Sequence, residues 1–99
     1  MYKIRQTILN FRDERNWKPY HNEKDLAISI SLEASELLEN FQWKTSEEAV
    51  KDSKQNIKEE MADILIYLVQ LADKLDIDLE EEVLEKMKKN ALKYPVQKG

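Results

Sequence analysis

The chain has no cysteine, one glycine, two prolines and one histidine in 99 residues. Without cysteine it can have no disulfide scaffold, thiolate zinc site or cysteine nucleophile. The lone histidine, His21, excludes any site that draws two from one chain. A β protein this small needs several glycines in its turns, so a single glycine favours helices joined by polar caps. No apolar run approaches the roughly 18 residues of a membrane span. Met1-Tyr2-Lys3-Ile4-Arg5-Gln6 has no apolar stretch after its basic residues, so no secretory signal is expected. An excess of positive charge is also missing. Sixteen Lys and Arg against 20 Asp and Glu give a net charge of −4, which argues against nucleic acid or a membrane as partner. What is present is 41% apolar and 36% charged residues, too apolar a mixture for disorder. The expectation is one soluble, cytoplasmic domain spanning residues 1–99.

The periodicity predicts an all-α, four-helix bundle-like protomer with one extra short helix. Ile4, Ile8 and Phe11 form one stripe of a helix from about Tyr2 to Arg15. Pro19 interrupts the pattern within Asn16-Trp17-Lys18-Pro19-Tyr20-His21. Asn22 can cap a second helix ending near Phe41 or Trp43. Thr45 with Glu48 reads as a capping box for a short helix through Asp52, followed by a long helix from about Lys54 to Leu75. Asp78 with Glu81 caps the last helix, which Pro95 stops.

The second and long helices are apolar over most of their circumference, and each carries one narrow polar line. On the second this line is Ser29, Glu33, Glu36 and Asn40; on the long helix it is Asn56, Glu60, Asp63 and Tyr67. In so acidic a chain, chance alone gives roughly 4 acidic pairs at i, i+3. Glu80, Glu81, Glu82 and Glu85 read as such a solvated surface. Glu33, Glu36, Glu60 and Asp63 differ because their helices have no broad solvent face to hold them. Burying unpaired carboxylates together is unfavourable through both desolvation and repulsion. Protonation, lysine partners, a buried polar network or a hard cation can each relieve it. No histidine lies three residues after any of these acids, so the Glu-x-x-His arrangement of di-iron bundles is missing. Carboxylates without imidazole suit Mg²⁺, with Mn²⁺ as a substitute, and magnesium sites with few carboxylates complete their shell with water and substrate phosphates.

Four blocks carry a family resemblance. Glu33-x-x-Glu36, 23 intervening residues and Glu60-x-x-Asp63 form the first pattern. Trp17-x-x-Tyr20-His21 precedes the second helix and Phe41-Gln42-Trp43 ends it. Glu59-Glu60-Met61-Ala62-Asp63-Ile64-Leu65-Ile66-Tyr67-Leu68 and Lys89-Asn90-x-x-Lys93-Tyr94-Pro95 follow in order. From Ile4 to Pro95 the chain resembles the MazG-like all-α nucleoside triphosphate pyrophosphohydrolases, and most of all their dCTP pyrophosphatase-like branch. The resemblance implies Mg²⁺-dependent cleavage of a nucleoside or deoxynucleoside triphosphate into the monophosphate and pyrophosphate, a nucleotide house-cleaning activity. It implies that Glu33, Glu36, Glu60 and Asp63 hold the metal and supply the catalytic carboxylates. It further implies that Trp17 and Trp43 enclose the base, that Asn90 bonds the nucleotide, and that Lys93 and Tyr94 meet phosphate oxygens. Ile8 stands where some cytosine-preferring relatives have a histidine, so no single base follows.

Other readings of the same residues are a dUTP or phosphoribosyl-ATP hydrolase, or a non-catalytic dimerisation module whose buried acids fix register. Either tryptophan could simply lid the core, and Lys93 could act through the helix dipole. The apolar surface left over on the two central helices, including Ile28, Leu32, Ile66 and Val69, exceeds what monomers usually expose. A homo-oligomer is therefore expected; by resemblance it is a homodimer or a dimer of dimers.

Overall fold

Three side-chain caps set the helix starts. In the computed structural model, which describes residues 1–97, the Asn22 side chain accepts from the Asp25 N–H at 2.8 Å. Thr45 Oγ1 accepts from the Glu48 N–H at 3.1 Å and donates to the Glu48 carboxylate, also at 3.1 Å. Asp78 accepts from the Glu81 N–H at 3.1 Å. These caps open α2 (Glu23–Glu39), α3 (Ser46–Lys74) and α4 (Leu79–Lys93). The first helix, α1 (Tyr2–Glu14), starts without a side-chain cap, and one 3₁₀ turn (Lys18–Tyr20) follows it. No strand occurs among the described residues, and none of their helices is long and apolar enough to cross a membrane. Of the tail after Pro95, Lys98 and Gly99 lie outside the described residues.

The turns manage without glycine. Both α1 and α3 stop in Schellman motifs, with Trp17 N–H bonding Arg12 C=O and Ile77 N–H bonding Ala72 C=O. The left-handed residue these motifs need is Asn16 (φ 56°) in one and Asp76 (φ 54°) in the other. Both residue types tolerate that region through their short polar side chains. The third left-handed position is Trp43 (φ 63°), a bulky residue for which this backbone is strained.

The expected short helix and long helix are one element. α3 continues through Ser53, whose dihedrals (φ −129°, ψ 21°) kink it without ending it. No proline or glycine stands there to stop the helix. α2 also ends earlier than expected, since turns replace the helix after Glu39.

Packing is uneven. α2 lies along α3, and α1 rests on α3, with Leu9, Leu26, Ala49, Val69 and Ala72 buried between them. α4 has no buried residue and leaves Val83, Leu84, Met87 and Leu92 exposed. The four helices therefore do not close into a bundle within one chain. The radius of gyration, 16.7 Å, exceeds the roughly 13 Å of a compact chain this long. Of the residues expected on the outward face, Ile28, Leu32 and Ile66 are exposed, whereas Val69 belongs to the core.

An ion cluster fixes α1 to α3. Asp73 accepts from Arg5 Nη2 at 3.1 Å and Arg12 Nη1 at 2.9 Å, and Lys18 Nζ stands 4.0 Å away. Lys74 Nζ donates to the Lys18 carbonyl at 2.7 Å, which ties the 3₁₀ turn to the same end of α3.

Candidate metal centre

The hairpin of α2 and α3 brings the two polar lines face to face. Asn56 Nδ2 donates to Asn40 Oδ1 at 2.9 Å near the connecting loop. One turn further along, one carboxylate oxygen from each of Glu33, Glu36 and Glu60 lies within 4.8 Å of the other two. Three of the four expected acids thus meet. Asp63 is half-buried on the same line of α3, outside that three-oxygen cluster.

Electrostatically the cluster is unresolved. Glu33 Oε2 and Glu60 Oε2 are buried without any hydrogen-bond partner, and Glu60 is only 9% exposed. The Glu33 carboxyl is pushed up to about 7. The largest cause is a hydrogen bond with Glu60, which exists only when a proton sits between the two; burial and the charges of Glu36 and Glu60 add to it. Burial raises the Tyr67 hydroxyl, helped by the charges of Glu33, Asp63 and Glu36. Tyr67 therefore bounds the acids at the end away from the loop. At the loop end a cavity of about 310 Å³ is lined by Glu36, Glu39, Asn40, Lys44, Ser53, Asn56 and Glu60. Lys44 Nζ pairs with Asp52 at 3.4 Å on its rim.

The donor set fits a hard divalent cation. It offers oxygen only, carries more negative charge than its surroundings neutralise, and leaves two buried oxygens without a donor.

The remaining expected site residues stand apart. Trp17 is half-exposed, edge-to-face on Phe11 at 5.7 Å and on His21 at 6.5 Å, with the Arg15 guanidinium 5.9 Å from its ring. Trp43 is 99% exposed. Asn90 is half-buried on α4, while Lys93 and Tyr94 are exposed at its end, with Lys93 Nζ 5.4 Å over the Tyr94 ring. Among the described residues, no hydrogen bond or ion pair joins these three to the acids. Sequence reasoning placed Asn40, Asn56 and Tyr67 on the polar lines without a role. It missed Lys44 altogether, because the cavity that Lys44 lines arises only when the helices pair.

Several known proteins are similar to this chain. dCTP pyrophosphatase 1 of Bos taurus is 40% identical over 98 residues, covering 94% of this chain and 58% of that protein. Its Homo sapiens counterpart is 38% identical over 97 residues, covering 93% and 57%. The chain thus spans a little under three-fifths of the length of these relatives. A crystal structure of a pyrophosphatase from Archaeoglobus fulgidus superposes with a TM-score of 0.88 at 45% identity, covering 97% of this chain and 93% of that one. The MazG-like family model matches residues 28–99, a stretch that includes all of the paired acids on α2 and α3. A chain with this hairpin, this acid spacing and this match belongs to the MazG-like family.

Proposed function

We propose that this chain hydrolyses nucleoside triphosphates, deoxynucleoside triphosphates among them, to the monophosphate and pyrophosphate with Mg²⁺, removing unwanted nucleotides. The observation that carries the reading is the cluster of three carboxylates with two buried, partnerless oxygens. The dCTP pyrophosphatase relatives and the archaeal pyrophosphatase support the reaction class.

Glu33, Glu36, Glu60 and Asp63 hold the cation, for which Mn²⁺ can substitute. When bound it neutralises polyphosphate charge and lowers the pKa of a coordinated water. A carboxylate not fully engaged accepts the proton of the attacking water, the bridging P–O bond between the α- and β-phosphates breaks, and pyrophosphate leaves. Trp17 and Trp43 enclose the base, Asn90 bonds the nucleotide, and Lys93 and Tyr94 reach phosphate oxygens. Trp43 and α4 project from the single chain, and residues 1–99 act as one domain that pairs with a second copy, as a homodimer or dimer of dimers. The exposed Leu32, Leu38, Val83, Leu84 and Met87 support that pairing.

The test is pyrophosphate release over a panel of ribo- and deoxyribonucleotides, with and without Mg²⁺, with Glu60→Gln as control. Release that needs Mg²⁺ and vanishes in the control is expected. Release that survives in Glu60→Gln overturns the assignment.

A further inference from the structure

The polar lines on α2 and α3 extend beyond the acids, and their loop-side ends are bonded to each other. Asn56 Nδ2 donates to Asn40 Oδ1 at 2.9 Å. Asn40 Nδ2 in turn donates to the backbone carbonyls of Glu36 and Leu37, both at 3.3 Å. A relay of two amides thus runs from α3, one turn before Glu60, to the main chain of Glu36 itself. It crosses the helix pair beside carboxylates that repel each other and lack compensating donors. It also sits one turn after Ser53, where α3 is kinked. Both amides line the cavity that Glu36 and Glu60 share.

We infer that Asn40 and Asn56 are positioning residues, whose cross-helix bond holds Glu36 and Glu60 at cation-bridging separation against their own repulsion. The inference rests on the reading of the acids as a cation site. Among the described residues neither amide hydrogen-bonds a carboxylate side chain, so the pair acts through helix placement. The bond is exposed to solvent, which makes its contribution modest. A cation site is nevertheless sensitive to small displacements of its ligands.

Mn²⁺ binding to the full chain, measured by calorimetry without nucleotide, tests this. Asn56→Ala and Asn40→Ala are each expected to weaken Mn²⁺ binding roughly three- to tenfold, as loss of one modest hydrogen bond implies. The double variant should be no weaker than Asn40→Ala alone, because that variant already removes the cross-helix bond. Gln55→Ala, which alters only a surface contact to Glu59, should bind Mn²⁺ as the unaltered chain does. Alanine favours helix at position 56, inside α3, and circular dichroism of the metal-free variants checks folding. Should one single variant not fold, the other carries the test. A purely structural bond would lower the melting temperature and leave the affinity of the folded protein unchanged, and that result overturns the positioning role. Additive losses in the double variant overturn it too. Failure of the unaltered chain to bind Mn²⁺ removes the cation reading and the positioning role with it, an outcome distinct from equal binding by all variants.

Discussion

Asp73 and Glu60 are acids on the same helix with opposite surroundings. Asp73 accepts from Arg5 and Arg12, and Lys18 stands close by. Glu60 is more deeply buried and has Glu33 and Glu36 for neighbours, with one oxygen bonded to nothing. The first cluster is closed: its carboxylate has cationic partners from within the chain, and it joins α1 and the 3₁₀ turn to α3. The second is open, with an excess of negative charge that only a proton or a cation from outside can balance. A carboxylate with built-in partners serves the fold; one surrounded by its own kind suits the cation site proposed above.

The contrast breaks first at Glu60. Glu60→Gln should reduce turnover by more than about a hundredfold, beyond what loss of an outer-shell group produces. In chelator it should melt at a higher temperature than the unaltered chain, because a repulsion is gone. Full activity in both Glu36→Gln and Asp63→Asn would sink the four-acid site. At the closed cluster the stability effect has the reverse sign. Asp73→Ala leaves the 3%-exposed Arg12 with only its exposed partner Asp13, 2.9 Å from Nε, and should destabilise the chain by about 2–4 kcal/mol in urea unfolding. The folded fraction should keep its cation affinity. Equal and opposite behaviour at the two acids is the comparison in its sharpest form.

Smaller effects follow at Trp43 and with pH. If the exposed ring stacks on a base, Trp43→Ala should raise KM about tenfold, in line with about 1–3 kcal/mol per stacked base. Alanine keeps the Cβ and with it the left-handed strain, so losing a ring that packs on nothing should leave stability nearly level. A large stability loss with unchanged KM would return Trp43 to a structural role. For pH, Glu33 binds its proton more tightly folded than unfolded, so the folded state holds more protons between its ordinary value of 4.5 and about 7. Stability in chelator should therefore fall as pH rises through that window, and Glu33→Gln should flatten the slope. Thermal melts at pH values on either side of that window read this directly.

The helix starts were legible because a cap acts over a fixed short offset: Asn22, Thr45 and Asp78 each bond the N–H three residues ahead. The acids were legible for the same local reason, since Glu33/Glu36 and Glu60/Asp63 share a face within one turn. What required the other helix was not legible. Nothing local shows that Asn40 will meet Asn56, that Asp73 will collect charges from α1, or that Glu33 and Glu60 will come together. Ser53 misled in the opposite direction, because a kink without proline or glycine leaves no separator in the sequence. The turns hid their geometry too: with glycine scarce, Asn16 and Asp76 take left-handed positions that a glycine would have advertised.

The two tryptophans also give the chain a pair of unlike optical reporters. Trp43 stands in water, so its emission will shift to the blue when anything covers it, whether a nucleotide base or a second copy. Trp17 lies against Phe11 and His21, so its emission reports on the turn between α1 and α2. Removing either ring by substitution leaves a single-tryptophan protein. Titrating nucleotide into one and diluting the other would separate ligand capture from subunit exchange by colour alone, with no dye attached.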